Sequence, residues 1–340
     1  MEITTTSIRE RFEQAKINNP KTRIRDIATQ LHTSEAVLVA LSTENILLEG
    51  DFKELLKEVH TMGHVMALTR NNDAVHERKG VYNNVSFEGH MGLVLDPDID
   101  LRLFMMHWKF GFAVQEGDRK SLQFFDKSGE AVHKIYLTEK SDVAVWHTIA
   151  NKYKAALQET DLVTTIYAPA EAEIPDIEID AEAFQQDWLQ LKDTHEFFGL
   201  LRKYKLKRTQ ALRMAPVGFV KEIPEDTTRK MLLAASEQQV SIMVFVANRG
   251  CIQIHTGTVD NLLETGPWFN VLDPEFNLHL RESSIKQSFI VRKPSVDGIV
   301  TSLEVFDEEG EMIVQFFGKR KPGNPELESW TALIDQIAGW

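Results

Sequence analysis

The sequence predicts an α+β protein made by internal tandem duplication, each half a large antiparallel sheet with packed helices. Two observations carry that expectation. The first is a repeat read directly off the chain. Val94-Leu95-Asp96-Pro97 recurs as Val271-Leu272-Asp273-Pro274, an offset of 271 − 94 = 177. Without a gap, Asn71, Gly80, Asn84 and Gly89 fall on Asn248, Gly257, Asn261 and Gly266, and Leu101 and Leu103 fall on Leu278 and Leu280. Ser121-Leu122, Phe125-Asp126 and Gly129-Glu130 recur as Ser302-Leu303, Phe306-Asp307 and Gly310-Glu311 at 302 − 121 = 181, so the second copy carries four extra residues between these blocks. The second observation is texture: each copy opens with helical spacing of its apolar residues and then turns to short alternating runs. Two like halves mean two cores, and positions where the copies differ in chemistry are where function is sought.

In the first copy, Ser7 to Ala15 and Arg25 to Leu31 have amphipathic helical spacing, with Asn18-Asn19-Pro20 as the break between them. Asp51 to His60 reads as a further helix. From Val65 to Tyr136, alternating apolar runs are separated by Asn71-Asn72-Asp73, Asp96-Pro97 and Lys127-Ser128-Gly129, the pattern of a mostly antiparallel sheet. Asp142 to Leu157 returns to helix. Thr160 to Ala183 is acidic, holds Pro169 and Pro175, and lacks periodicity, as a linker does. In the second copy, Ala183 to Tyr204 reads as the strongest helix of the chain, strands are expected from Ser241 to Phe317, and Pro325 to Ile337 closes with a helix. Trp146 and Trp330 sit in the two closing helices, where a core role is expected. The domains so drawn are an N-terminal repeat over 1–165, an acidic Pro-containing linker over 166–182 and a C-terminal repeat over 183–340.

The 340 residues suit two domains, and 43% hydrophobic residues suffice for two cores. A net charge of −13 argues against nucleic acid and against an anionic membrane surface as partners. The single cysteine, Cys251, forms no internal disulfide and fits a reducing compartment. The opening Met-Glu-Ile-Thr-Thr-Thr has neither the basic nor the apolar region of a signal peptide, and no run approaches transmembrane length, so a cytoplasmic location without membrane insertion is expected. The oligomeric state is left open.

No Gly-x-Gly-x-x-Gly, Walker loop or Gly-x-Ser-x-Gly elbow is present. Cys251 lies in an alternating strand-like run and reads as a buried structural thiol. His60 and His64 have helical metal spacing, but Gly63 intervenes and the helix ends there. Two residues are harder to set aside. Phe184, Trp188, Leu191, His195 and Phe198 are spaced four, three, four and three, which puts His195 on the buried face of its helix. A core histidine bonded to backbone is one reading. An imidazole offered from an aromatic wall as an axial iron ligand is the other. Matching Arg25 with Arg208 pairs His195 with Phe12, so the imidazole belongs to the second copy alone. Arg102 shares a strand face with Asp100 and Phe104, opposite Ile99, Leu101 and Leu103. It reads either as a solvent-facing arginine paired with Asp100 or as a guanidinium on a binding face. Its repeat partner is His279. Lys319-Arg320-Lys321, with Arg292 and Lys293, could hold a carboxylate-bearing ligand or be solvated turns.

The chain resembles the cytoplasmic hemin-transport and hemin-degrading proteins of bacterial haem uptake, the HemS/ChuS type. The likeness spans the whole chain and rests on Asn71-Asn72-Asp73-Ala74-Val75-His76-Glu77, on Leu95-Asp96-Pro97 with Asp100-Leu101-Arg102-Leu103-Phe104, and on Trp188 with His195-Glu196-Phe197-Phe198. Val244-Phe245-Val246-Ala247-Asn248-Arg249-Gly250-Cys251, Arg292-Lys293-Pro294, Asp297-Gly298 and Thr301-Ser302-Leu303-Glu304 complete it. The resemblance implies one haem per chain in a cleft between the halves. It makes His195 the axial ligand, Arg102 the residue on the other haem face, Phe104 and Phe245 pocket aromatics, and Arg208, Lys293 and Arg320 the cations near the propionates. His76 matches a secondary histidine. Where the family has tyrosine, this chain has Phe317, which cannot donate to a propionate.

Haem is an apolar disc with two carboxylates on one edge, and it calls for an aromatic slot, an axial nitrogen and rim cations. The implied function is haem degradation by oxidative ring opening with iron release, using an external reductant because no flavin or nicotinamide fingerprint is visible. Arg102, permanently charged, would stabilise negative charge developing on the distal side. The alternative is a non-enzymatic haem carrier or store using the same pocket, and a further one is a duplicated scaffold that binds protein through its sheets. The cytoplasmic side of a haem importer is the implied partner.

Overall fold

A computed structural model describes residues 5–321 and 323–340. The Met1–Thr4 stretch, read above for a leader, lies outside the described residues. The fold is α+β, with two nine-stranded antiparallel sheets among the described residues.

The chain forms two compact units. The first takes the chain up to Arg70, Glu77–Ala168 and Asn248–Gln253; the second takes Asn71–His76, Pro169–Ala247 and Ile254–Trp340. Each unit is therefore completed by six residues encoded in the other repeat. Sequence periodicity does not reveal this exchange, because a strand pattern says which face is buried and not which sheet accepts the strand.

In the first unit, Ile46–Leu48, Phe110–Glu116, Arg119–Phe125, Ala131–Ser141 and Gly63–Arg70 run side by side, all antiparallel. Val85–Glu88, Met91–Leu95 and Asp100–Phe104 form a meander. In the second unit, Val220–Ile223, Gln287–Ser295, Gly298–Phe306, Met312–Gly318 and Ile242–Ala247 follow the same plan. Leu262–Thr265, Trp268–Leu272 and Phe276–Arg281 repeat the meander. The 177-residue offset maps Val85–Glu88 onto Leu262–Thr265 and Met91–Leu95 onto Trp268–Leu272 residue for residue. Alternation explains these strands: in Asp100–Phe104, Leu101 and Leu103 are fully buried while Asp100, Arg102 and Phe104 are half-buried on the other face.

The repeated Gly129 and Gly310 have φ of 82° and 75°, the left-handed geometry their turns require. The closing helices Val143–Lys152 and Glu328–Ala338 bury Trp146 and Trp330, whose indole N–H groups donate to Ser121 O and Thr301 O. Gly318 lets the second helix approach: a Cβ there would lie 2.5 Å from Trp330 Cγ. Glu35–Ala40, Arg208–Arg213 and Thr227–Glu237 are helices that apolar spacing did not announce.

The expected single helix from Ala183 to Tyr204 is two helices, Ala181–Leu189 and Glu196–Tyr204. Side chains take over the backbone donors that a continuous helix would use. Glu196 accepts from the N–H groups of Lys192 and Asp193, Asp193 accepts from that of His195, and the Lys192 carbonyl accepts from Val296 N–H. Aspartate and threonine compete well in this way and helix interiors suit them poorly.

Candidate functional site

The break in the helix decides where His195 goes. Phe184, Trp188, Leu191 and Phe197 remain in the core, but His195 leaves the apolar stripe and its side chain is 86% exposed. The expectation of a buried-face histidine is thus corrected: with the backbone re-folded between Leu189 and Glu196, the four-three spacing no longer describes one face. Phe198, 56% exposed, leaves the core with it.

The imidazole is anchored. Its Nδ1 lies 2.6 Å from Asp193 Oδ1, the oxygen that also accepts the His195 backbone N–H at 2.8 Å. A carboxylate accepts only, so Nδ1 carries a proton and Nε2 is the ring nitrogen left for a ligand. No hydrogen bond reaches Nε2 among the described residues. The backbone N–H of His195 holds the Asp193 carboxyl below its usual range, against partial desolvation, and Arg320 adds a positive charge nearby. Arg320 pairs with Asp297 at 3.4 Å, and Asp297 also accepts the Gly323 N–H.

Arg208 opens the helix Arg208–Arg213 and grips Glu304 with two parallel bonds, Nε to Oε2 at 2.7 Å and Nη2 to Oε1 at 2.8 Å. Lys293 Nζ donates to the same carboxylate at 2.7 Å. Both cations lie over Phe197, at 5.1 and 4.6 Å from the ring centroid, and Arg208 also lies 5.7 Å from Phe198. Burial pushes the Lys293 amine down to about 8, against the pull of Glu304. Burial alone would raise Glu304, but Arg208 and Lys293 overcome it and hold the carboxyl far below the usual range. Lys293 is 3% exposed, so it is a core cation rather than a surface one. The cluster keeps one surplus positive charge beside the helix that carries His195. Phe245 packs edge-to-face on Phe317 with centroids 5.0 Å apart.

In the first unit, Arg102 is paired with Asp100 through Nη1, which also donates to Leu101 O. Desolvation raises the Asp100 carboxyl despite that partner. Nε and Nη2 of Arg102 make no hydrogen bond among the described residues. Phe104 follows on the same face and ties the exchanged segment in: its N–H donates to Gly250 O at 2.9 Å. Beyond it lies a buried polar chain. Tyr82 hydroxyl meets His133 Nε2 at 2.5 Å, His133 Nδ1 meets Thr69 Oγ1 at 2.9 Å, and Thr69 donates to Cys251 Sγ at 3.3 Å. Burial pushes the Cys251 thiol up to about 12, so it is an inert structural thiol, as its strand alternation suggested. His76 is fully buried in the second unit, 5.0 Å from the Phe276 ring.

The structure therefore groups His195, Arg208, Lys293, Arg320 and their carboxylate partners within the second unit, and Arg102 with Phe104 in the first. A cleft of about 440 Å³ in the first unit, lined by Phe52, Lys53, His90, Met105 and Trp108, contains none of the predicted residues. Sequence reasoning missed Asp193 and Glu304. The Asp-x-His spacing and a glutamate inside the apolar strand Gly298–Phe306 were the available signals.

The duplicated α+β architecture is that of a recognised class, and the chain belongs to it: the family described as the haemin-degrading HemS/ChuX domain matches residues 30–153 and again 205–337. Among individual relatives, the chain is 39% identical over 339 residues to the hemin transport protein HemS of Yersinia enterocolitica, covering 98% of this chain and 96% of that one. It also resembles the crystal structure of apo-PhuS, a heme-binding protein from Pseudomonas aeruginosa, with a TM-score of 0.95, 45% identity, and coverage of 98% and 99%. ChuS, an E. coli heme oxygenase, matches with a TM-score of 0.88, 33% identity, and coverage of 97% and 99%. No helix among the described residues is long and apolar enough to cross a membrane.

Proposed function

We propose that this chain binds haem through His195 and degrades it by oxidative ring opening, releasing iron, with electrons from an external donor. The observation that carries the reading is the imidazole itself: 86% exposed, proton held on Nδ1 by Asp193, and Nε2 available. An axial ligand has to be oriented and accessible, and His195 meets both conditions. Relatives support the substrate: PhuS has been crystallised in a holo form, and ChuS is named a heme oxygenase. Haem would be the substrate here, and it supplies the iron at which the ring is opened.

In this reading the chain's own residues do the following. His195 binds the iron. Phe104 and Phe245 offer apolar surface to the ring. Arg208 and Lys293, with the one charge left over after Glu304, and Arg320 draw the propionates. Arg102 keeps Nε and Nη2 for the distal side, where a charge that cannot be lost to deprotonation stabilises developing negative charge. Phe317 leaves any propionate bond to these cations. A cytoplasmic location and delivery by a haem importer belong to the same proposal.

A carrier role uses the same ligand, and the names of the relatives, hemin transport protein and heme-binding protein, favour it as the second reading. Absorbance titration with hemin tests the common part: a stoichiometric Soret shift that His195→Ala weakens and alters is expected, and no shift would refute both. Adding ascorbate in air then separates them. Progressive loss of the Soret band marks the enzyme, with catalase sensitivity pointing to ring opening driven by peroxide, and a stable spectrum marks the carrier.

A further inference from the structure

We propose that Asp193 is a positioning residue that sets the electron-donating strength of the His195 ligand. The inference rests on the haem-binding reading above and goes beyond it by assigning a second residue and a measurable property. One oxygen, Asp193 Oδ1, accepts both the backbone N–H of His195 and its ring Nδ1–H. The two bonds fix the ring's rotamer and its tautomer together. A carboxylate on Nδ1–H withdraws that proton part-way and pushes electron density to Nε2, so the ligand acquires imidazolate character. In the free chain both side chains are exposed, Asp193 by 60%, and water weakens the bond. A haem seated on Nε2 would exclude that water and strengthen it. A stronger donor stabilises ferric iron and lowers its reduction potential. Asp193 would thereby govern how strong the external reductant has to be.

The expected tautomer is present before haem arrives. In the haem-free protein, nitrogen chemical shifts should report His195 with the proton on Nδ1. Asp193→Asn keeps an acceptor oxygen but removes the charge, and Asp193→Ala removes both. Asp193 is 60% exposed, and Asp193→Asn keeps the oxygen that accepts the His195 backbone N–H, so this variant should melt as wild type does. With haem bound, Asp193→Asn should lower the iron–histidine stretching frequency of the ferrous form and raise the ferric/ferrous potential. Asp193→Ala should also lose the fixed tautomer and about tenfold in haem affinity. A stretch and a potential unchanged in Asp193→Asn, with wild type still ligated by His195, would overturn this inference alone. A wild-type spectrum indifferent to His195→Ala would overturn the ligand assignment beneath it.

Discussion

At the residue scale, chemistry follows from which groups have bonding capacity left over. His195 retains Nε2 and Arg102 retains Nε and Nη2, whereas Lys293, buried and bonded to Glu304, contributes its charge rather than a free donor. Substitutions should sort accordingly. His195→Ala should weaken hemin binding and alter its spectrum, while His76→Ala, which removes a core ring tilted against Phe276, should leave the spectrum unchanged. Equal spectral damage from both would remove His195 as the ligand. Arg102→Ala should keep more binding than His195→Ala and lose turnover, measured as the rate of Soret decay with reductant. Arg102 and its strand face were legible because strand alternation is local. The exposure of His195 was not, because it depends on side chains of Asp193 and Glu196 capturing backbone donors.

At the element scale, the exchanged strands are held by repeat-equivalent asparagines. Asn71 donates to Ala247 O and Ile313 O within the second unit, and Asn248 donates to Arg70 O and Val132 O within the first. Each also folds its own turn, accepting from backbone N–H groups two and three residues on. Asn248→Ala orphans buried carbonyls and should cost about 2 kcal/mol. Hydrogen exchange should rise in Gly63–Arg70 and Ala131–Ser141, while Asn71→Ala should raise it in Ile242–Ala247 and Met312–Gly318. Exchange confined to the repeat that encodes the altered residue would contradict the exchange of strands. Gly318→Ala should cost about 1–3 kcal/mol by crowding Trp330, read as a lowered urea midpoint.

At the scale of the whole molecule, the first unit is built to be acid-sensitive. Burial would raise the Glu35 carboxyl, but Lys134 and Arg70 overcome it and hold it at about 2. A carboxyl depressed in the folded state stabilises above its unfolded value near 4.5, and that stabilisation is lost as pH falls from about 4.5 to 2. Burial pushes His133 down to about 3, so the folded chain keeps it neutral while the unfolded chain protonates below about 6.5, and stability falls over that interval too. Melting temperature should therefore drop as pH falls below about 6.5 and more steeply below about 4.5, and Glu35→Gln should reduce the lower step, to which the depressed Glu304 carboxyl also contributes, while lowering stability at neutral pH. A profile with the lower step intact in Glu35→Gln would dismiss this carboxylate as its origin. The sequence by itself determined the duplication, the alternating strand faces, the buried tryptophans and the family, because each rests on a period or spacing that neighbouring residues enforce. Only the tertiary structure decided the strand exchange, the broken helix and the clustering of Arg208 and Lys293 on Glu304. Those depend on partners far apart in the chain, whose hydrogen bonds and buried charges are satisfied only once the sheets have assembled.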